Sequence, residues 1–198
     1  MKQLSRLSWL SPKLEVRNTE SYGCGSFALA PIAKGELVSV QGGHIVTLDE
    51  LFSLSSPFDE GKSKSRELLD YCYQISEELV LSVTSWEEVT EAECLNHSCN
   101  PNTGFCGEIR LIALHTIAAG EEVTFDYATC MTASFGDFDC LCGAANCRGR
   151  ITGEDWKLPE LQTRLRGYFQ PYIEAKIVSL QNEREIYGTT ITVPNCRK

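Results

Sequence analysis

Apolar residues in the first half of the chain come in short groups that are separated by glycine and proline turns. Leu37-Val38-Ser39-Val40 has the composition of a strand, and residues 31–36 before it have that of a turn. Residues 71–75 and 79–83 have the composition of two strands joined as a hairpin. We therefore predict a mainly β (α+β) fold made of short strands.

One pattern of alanine, isoleucine, glycine and glutamate occurs twice. The copies are Ala28-Leu29-x-x-Ile32-Ala33-x-Gly35-Glu36-x-Val38 and Ala113-Leu114-x-x-Ile117-Ala118-x-Gly120-Glu121-x-Val123. Two copies of one strand–turn–strand unit would explain the match. The alternative is that both segments use the common residues of hairpins independently. We favour a structural repeat because the copies flank the candidate site described below in the same sense.

The spacing of apolar residues changes after residue 150 and becomes helical. Asp155 is a candidate N-cap, and Pro159 suits the first turn of a helix. Pro171 interrupts this helix, and a second helix follows. The apolar positions at helical spacing are Leu158, Leu161, Leu165 and Tyr168, then Ile173, Ile177 and Leu180. A core-facing role explains them more simply than a partner-binding role.

The composition narrows the classes of function. The chain has 198 residues and a formal net charge of −9, which counts against a nucleic-acid-binding domain and fits a lysine-rich partner. The alternative is that the charge serves solubility alone. The sequence contains no apolar run of about 18 residues, so we expect no membrane span. With no apolar secretory signal at the N-terminus, we expect an intracellular protein, nuclear or cytoplasmic, and the oligomeric state stays open.

Ten cysteines fall into two groups. Cys99, Cys140, Cys142 and Cys147 belong to motifs, and the last three lie close together in a Cys-x-Cys-x4-Cys-x-Gly segment, a spacing that favours zinc over free thiols or a disulfide. The scattered cysteines are Cys24, Cys72, Cys94, Cys106, Cys130 and Cys196. We expect those to be small buried apolar residues in a reducing compartment.

Three motifs in a fixed order carry a resemblance to a known family. They are Asn96-His97-Ser98-Cys99-Asn100-Pro101-Asn102, then Phe125-Asp126-Tyr127, then Cys140-x-Cys142-x4-Cys147-x-Gly149. This set, over about residues 22–150, resembles SET-domain protein-lysine methyltransferases of the short, single-domain type with a post-SET zinc motif. The resemblance implies a SET domain at 12–130, a post-SET zinc-binding segment at 131–152 and a C-terminal helical extension at 153–198. It also implies the SET-domain β-clip fold, with small sheets and a knot-like C-terminal threading.

The resemblance implies two bound groups. S-adenosyl-L-methionine, the methyl donor, would contact a Gly-x-Gly turn, the Asn-His pair and a tyrosine. The residues at these positions are Tyr22, Gly23, Cys24, Gly25, Asn96, His97 and Tyr127. His97 would meet the adenine through its backbone and would not act as a general base. A structural zinc ion would bind Cys140, Cys142 and Cys147, with Cys99 as the fourth ligand.

The implied reaction is transfer of a methyl group to the ε-amine of a lysine in a protein, histone or non-histone. Tyr127 would orient the amine, and Tyr71 would line the lysine channel, although strand alternation does not choose between Tyr71 and Tyr73. Phe125 stands where phenylalanine leaves room for di- or trimethyllysine. Two alternatives remain: a catalytically inactive SET-like peptide-binding or scaffold module, and a zinc-ribbon adaptor. No membrane and no direct nucleic-acid partner is expected.

Overall fold

The computed structural model describes residues 7–19, 23–54, 68–132 and 137–187. Two four-stranded sheets form the centre of this part of the chain. The first has the order β1-β4-β10-β9, and the second has the order β2-β3-β11-β8. Their strands are β1 (Trp9–Leu10), β2 (Leu14–Thr19), β3 (Gly23–Ala28), β4 (Leu37–Val40), β8 (Asn96–His97), β9 (Thr103–Phe105), β10 (Arg110–Ala113) and β11 (Glu122–Phe125). The predicted strand at Leu37–Val40 is confirmed.

Two smaller sheets and three α-helices complete the described fold. One sheet has the order β5-β7-β6, from His44–Thr47, Leu79–Ser82 and Cys72–Gln74. The other pairs β12 (Phe138–Asp139) with β13 (Arg150–Ile151). The α-helices are α1 (Leu48–Leu54), α2 (Pro159–Arg164) and α3 (Pro171–Tyr187). The predicted hairpin is confirmed because Cys72 pairs with Ser82 and Gln74 with Val80 in antiparallel register. Short strands in small sheets with few helices confirm the predicted fold class.

Short 3-10 turns connect several of these elements. They lie at Leu68–Tyr71, Trp86–Glu88, Glu91–Glu93, Tyr127–Thr129 and Asp155–Lys157. The turn at Tyr127–Thr129 directly follows β11 and therefore begins at one of the predicted site residues. The domain boundaries at 12–130, 131–152 and 153–198, and the knot-like threading, stay predictions.

The two copies of the sequence repeat pair with each other around a local two-fold axis. Ile32 and Ile117 form an antiparallel bridge at its centre, with N···O distances of 3.0 and 2.9 Å. Away from the centre, each hydrogen bond from the first copy to the second has an equivalent from the second copy to the first. Gly35 N donates to Ala113 O at 2.8 Å, as Gly120 N does to Ala28 O at 2.7 Å. Likewise, Ala113 N donates to Glu36 O at 3.0 Å, as Ala28 N does to Glu121 O at 2.9 Å. The predicted structural repeat is confirmed, and each copy connects the two central sheets.

A carboxylate closes each turn of the repeat. Glu36 Oε2 accepts the backbone N–H of Ala33 at 3.1 Å, and Glu121 Oε2 accepts that of Ala118 at 2.9 Å. The glycine between them takes a left-handed conformation, with φ of 79° at Gly35 and 84° at Gly120. Glycine adopts this conformation at little cost, which explains why both copies keep it.

The main core lies between the two central sheets. Its fully buried members include Ile32, Val38, Phe105, Leu111, Ile117 and Val123. Ile32 and Ile117 are thus both the centre of the repeat and part of the core. Burying an aliphatic or phenylalanine side chain contributes about 1.5–3 kcal/mol, so the repeat is held by packing as well as by hydrogen bonds.

The C-terminal extension packs as predicted, but its first helix begins differently. Leu161, Leu165, Ile173 and Ile177 lie in one buried cluster, which confirms their core-facing role. The prediction that Asp155 caps α2 is wrong, because Leu158 is the N-cap and Pro159 occupies the first turn. The Asp155 carboxylate instead accepts a hydrogen bond from Thr152 and faces Arg148. Pro171 begins α3, and the described residues contain no helix long and apolar enough to cross a membrane.

We predict that Gly35→Ala and Gly120→Ala each destabilise the protein by about 1 kcal/mol, because alanine disfavours a positive φ. A Cβ at either position would contact nothing within 4 Å, so the expected loss is conformational rather than steric. Urea unfolding of each variant measures this loss in the free energy of unfolding. Gly35→Asn and Gly120→Asn are the controls, since asparagine tolerates this conformation and should restore part of the loss. Equal unfolding midpoints for the alanine variants and the wild type would show that the left-handed turns are not needed.

Candidate active site and metal site

A cavity of about 380 Å³ lies where the second central sheet meets the β6–β7 hairpin and the cysteine-rich tail. The parallel pairing of β8 with β11 creates one wall, because it places Asn96 beside Thr124 and His97 beside Phe125. Motifs that are distant in the sequence therefore share one surface. The predicted site residues that line the cavity are Cys24, Tyr71, Asn96, His97, Phe125, Tyr127, Cys140 and Cys142.

Tyr127 is held at both ends on the cavity wall. Its backbone begins the 3-10 turn Tyr127–Thr129, and the Asp126 side chain caps this turn by accepting the N–H of Ala128 at 3.1 Å. Its hydroxyl donates to the Leu95 carbonyl at 3.1 Å. A phenol fixed in this way can direct its oxygen lone pairs at a bound amine or methyl group.

Three of the residues predicted to bind the methyl donor, Cys24, Gly25 and Asn96, lie in contact with one another. The Asn96 amide donates to the Cys24 carbonyl at 2.9 Å and to Glu122 Oε1 at 2.8 Å. A Cβ on Gly25 would lie 2.5 Å from Glu122 Oε1 and 2.8 Å from Asn96 Nδ2, so a larger residue there would displace these two side chains. Cys24 borders the cavity, whereas Gly23 and Gly25 shape the strand behind it. Tyr22 lies outside the described residues.

His97 is a neutral side chain that connects Tyr127 to the cysteine cluster. The backbone N–H of Tyr127 donates to His97 Nδ1 at 3.1 Å, so the imidazole proton resides on Nε2, which lies 3.4 Å from Cys99 Sγ. Burial lowers the pKa of His97 to about 4, although the Asp126 carboxylate acts in the opposite direction. Nδ1 lies 3.7 Å from Asp126 Oδ1, but a neutral imidazole makes no ion pair there.

Tyr71 and Tyr73 both border the cavity, in different surroundings. Tyr71 ends the 3-10 turn before β6 and packs edge-on against Trp86 at 5.9 Å. Tyr73 lies within β6, and its ring stacks on Phe125 at 6.1 Å. Strand alternation therefore does not relate the two tyrosines. Burial raises the pKa of the Tyr73 phenol well above its usual value, so it stays protonated beside Phe125. Nothing in the sequence pattern favoured Tyr73 over Tyr71.

The four predicted metal ligands meet at one point. The Sγ atoms of Cys99, Cys140, Cys142 and Cys147 all lie within 4.8 Å of one another, and those of Cys99 and Cys140 lie 3.9 Å apart. Four thiolates at about 2.3 Å from a tetrahedral zinc ion would be separated by about 3.8 Å. The geometry of the cluster therefore fits zinc.

Backbone amides prepare the same cluster for negative charge. The N–H of Cys99 donates to Cys142 Sγ at 3.5 Å, that of Arg148 to Cys99 Sγ at 3.4 Å and that of Gly149 to Cys147 Sγ at 3.4 Å. Burial opposes ionisation of Cys142, but hydrogen bonds from the backbone of Cys99 and Ala144 and from the neighbouring thiols outweigh it and lower its pKa to about 7. Burial raises the pKa of Cys99 to about 11, so that thiol needs a nearby cation to ionise at neutral pH.

Two scattered cysteines form a pair that the sequence did not predict. Cys24 and Cys94 are joined as a disulfide with a Cα–Cα distance of 5.6 Å, so the expectation that both are free buried thiols is wrong. The bond joins β3 to the segment just before Asn96, and both cysteines line the cavity. Cys72, Cys106 and Cys130 form no disulfide within the described part of the chain, and Cys196 lies outside it. Pairing depends on three-dimensional proximity, which separated positions in the sequence do not reveal.

Arg148 contributes to this site, although the sequence motifs did not predict a role for it. Its guanidinium makes two hydrogen bonds to the Asp126 carboxylate, at 2.6 and 2.8 Å, directly before Tyr127. Despite burial, the Asp126 carboxylate raises the pKa of Arg148, so the guanidinium stays charged. The signal in the sequence was its place between Cys147 and Gly149, within the cysteine motif.

Within the described part of the chain, the charged side chains that line the cavity are all acidic. They are Asp70, Glu93, Asp137 and Asp139. Arg150 faces both Asp137, at 3.9 Å, and Asp139, at 3.1 Å, and Glu93 closes the capping box of the turn at Glu91–Glu93, so the carboxylates outnumber the one arginine beside them. The electrostatic field at the opening therefore favours a cationic ligand.

Comparison with known proteins agrees with this arrangement. The SET domain family matches residues 23–128. The histone-lysine N-methyltransferase Set2 of Drosophila melanogaster is 33% identical over 146 residues, which cover 70% of this chain and 6% of that protein. ASHH3 of Arabidopsis thaliana, another histone-lysine N-methyltransferase, is 32% identical over 151 residues, which cover 70% of this chain and 38% of that protein. The chain thus spans well under two thirds of the length of these relatives.

The fold is also found among solved structures. The crystal structure of KRYPTONITE in complex with mCHG DNA and SAH superposes with a TM-score of 0.54 at 23% identity, covering 71% of this chain and 29% of that one. At this identity the likeness establishes the fold. Since the family match includes β3, the Asn-His pair and Tyr127, which meet around one cavity, the chain belongs to the SET domain family.

Proposed function

We propose that this chain transfers a methyl group from S-adenosyl-L-methionine to the ε-amine of a lysine in a protein. The observation that supports this most directly is the position of Tyr127, whose anchored phenol shares one cavity with Asn96 and His97. The relatives that are named histone-lysine N-methyltransferases, and the SAH bound to KRYPTONITE, point to the same chemistry.

The donor would supply an electrophilic methyl group on a sulfonium. Gly23, Cys24, Gly25, Asn96 and His97, with Tyr22 and Tyr127, are the residues we propose to hold it. The bond from carbon to sulfur breaks as a bond from carbon to the lysine nitrogen forms, S-adenosyl-L-homocysteine leaves, and the amine proton goes to solvent. No oxyanion develops in this displacement, so alignment of nitrogen, carbon and sulfur is the main task.

The lysine must arrive as a neutral amine, although its usual pKa is about 10.4. An aromatic wall made by Tyr73, Phe125 and Tyr127 would lower that pKa by excluding water, and the donor's positive charge would lower it further. Tyr127 is the residue we propose to orient the nitrogen. Tyr71, also on the cavity, is our candidate for the outer part of the channel.

The acidic lining favours substrates with basic residues beside the target lysine. Asp70 and Asp137 lie on the cavity, and no lysine or arginine of the described chain lines it. Histone tails have this chemistry, as do other basic proteins. Acting on a histone would place the protein in the nucleus, and acting on another protein would leave the cytoplasm open. We propose no direct contact with nucleic acid, because the net charge is −9.

A second function remains in competition, a SET-like module that binds a basic peptide without reacting. The same cavity and carboxylates would serve it. The two functions separate by experiment, because only the enzyme converts labelled donor into methylated product.

Tyr127→Phe should lower kcat for methyl transfer by at least about 100-fold, because the anchored hydroxyl is lost while the ring remains. Labelled donor and a panel of lysine-rich proteins provide the assay. Tyr168→Phe is the matched control, since Tyr168 is half-buried outside the cavity. Equal rates for Tyr127→Phe and wild type would remove Tyr127 from the reaction, and absence of transfer by wild type with retained peptide binding would favour the inactive module.

Phe125→Tyr should shift the product from di- or trimethyllysine to monomethyllysine. Phe125 is buried against Tyr73 and Tyr127, so an added hydroxyl would occupy the space that a methylated amine needs. Mass spectrometry of the substrate peptide measures the product. Phe27→Tyr is the control, because Phe27 lies outside the cavity beneath Arg17. Wild-type protein that stops at monomethyllysine on a good substrate would contradict the assignment.

We propose that zinc at the four cysteines is structural, because four thiolates leave no open coordination position. The isolated protein should contain about one zinc ion per chain. At a free zinc concentration about a thousand times Kd, binding would add about 4 kcal/mol to the free energy of unfolding. Removal of zinc by a chelator should therefore lower Tm by roughly 8–16 °C. Cys142→Ser should do the same, and Cys106→Ser, outside the cluster, should not. Metal analysis and thermal unfolding give the result, and metal-free protein with an unchanged Tm would contradict it.

A further inference from the structure

Arg148 belongs to the tail that carries the cysteine motif, yet its side chain is directed at the loop before Tyr127. It follows Cys147, and its backbone N–H donates to Cys99 Sγ at 3.4 Å. Its guanidinium reaches Asp126 through two hydrogen bonds, of 2.6 and 2.8 Å. The side chain is 15% exposed, and that of Asp126 is fully buried. One residue thus connects the tail with the end of β11.

Asp126 links Arg148 to the turn that begins at Tyr127. Oδ1 of Asp126 accepts one of the Arg148 hydrogen bonds and also the N–H of Ala128, which starts the turn whose first residue is Tyr127. A fully buried carboxylate that lost its cation would have to rotate, become protonated or admit water. Each of these changes would alter the cap and therefore the direction of the Tyr127 ring.

The other groups around Asp126 do not replace Arg148. Arg164 Nη2 lies 4.0 Å from Asp126 Oδ2 and instead donates to the Cys99 carbonyl at 2.7 Å. His97 accepts the Tyr127 N–H at Nδ1 and so presents no proton to the carboxylate. Among the described residues, the contacts within hydrogen-bond distance that supply positive charge to Asp126 are those of Arg148.

A second carboxylate holds Arg148 from its other side. Asp155 Oδ2 lies 2.7 Å from Arg148 Nε, an ion pair in which neither atom completes a hydrogen bond. Asp155 belongs to the C-terminal extension, next to the buried Trp156. The guanidinium is therefore fixed between two carboxylates from two different parts of the chain.

We propose that Arg148 is a positioning residue for Tyr127: through Asp126 it makes the orientation of the reacting phenol depend on a correctly wrapped tail. Arg148 does not line the cavity, so it acts through Asp126 and not by touching either substrate. This inference rests on the proposed function where it concerns rate, but the contact between tail and tyrosine can be tested without it.

The test is Arg148→Lys, which keeps the charge and loses the paired hydrogen bonds. We expect kcat to fall at least about tenfold, since small displacements of a reacting group have large effects on rate. KM for donor and peptide should change less than about threefold because the cavity lining is intact. Arg110→Lys is the matched control, an exposed arginine that donates to the Cys106 carbonyl away from the cavity. Zinc content and donor-binding stoichiometry, measured for each variant, correct kcat for any inactive fraction.

A second readout is independent of activity. In protein labelled with fluorotyrosine, the resonance of Tyr127 is the one absent from Tyr127→Phe. Arg148→Lys should shift this resonance and leave that of Tyr168 unmoved, and Arg110→Lys should shift neither. If Arg148→Lys does not fold, Asp155→Asn gives a graded version, with a smaller shift and a two- to fivefold loss of kcat.

A kcat for the folded variant within twofold of wild type, or an unmoved Tyr127 resonance, would overturn the inference. If the wild type transfers no methyl group, the proposed function fails, and the fluorine resonance alone decides whether Arg148 positions Tyr127.

Discussion

A single buried charge, the carboxylate of Asp126, requires distant parts of this chain to come together. A carboxylate with no exposure is too costly to leave unpaired, and removing one partner of such a pair costs about 3–5 kcal/mol. Its partner, Arg148, comes from the cysteine-rich tail, and its other hydrogen bond begins the turn at Tyr127. The tail and the tyrosine are therefore ordered by the same interaction.

The scaffold beneath this interaction is the symmetric repeat. Two strand–turn–strand units exchange equivalent backbone hydrogen bonds around Ile32 and Ile117, and each unit supplies strands to both central sheets. Backbone bonds give this pairing its register, and the buried side chains give it most of its free energy. As a result β3 and β11 lie side by side, with the Asn96–His97 strand on the far edge of β11.

Cysteine side chains lie on two sides of the cavity. On one side, four thiols converge and accept backbone hydrogen bonds, and His97 Nε2 lies beside one of them. On the other, the Cys24–Cys94 disulfide joins β3 to the segment before Asn96. Cysteines in the same chain thus take different roles, because the distance and direction between side chains decide between metal binding and pairing.

The sequence determined the elements whose signal is local. The repeat, the β6–β7 hairpin, the apolar stripe of the C-terminal helices and the close spacing of Cys140, Cys142 and Cys147 all depend on residue type and spacing, and each was found in the structure. Cys99, the fourth member of the cluster, was expected from the resemblance to the SET-domain family. Fewer than half of the residues that line the cavity were predicted. Asn96, His97, Phe125 and Tyr127 are among them, because they lie in compact motifs that resemble those of the SET-domain family.

Only the tertiary structure decided the contacts between residues that are far apart in the chain. The role of Asp155 as a partner of Arg148 rather than a helix cap, the Cys24–Cys94 bond and the stacking of Tyr73 on Phe125 all depend on such contacts. Local spacing fixes which face of an element a side chain occupies, but it does not fix which other element faces it. That choice follows from the burial of apolar surface and the pairing of buried charge over the whole chain, and these are properties of the folded protein.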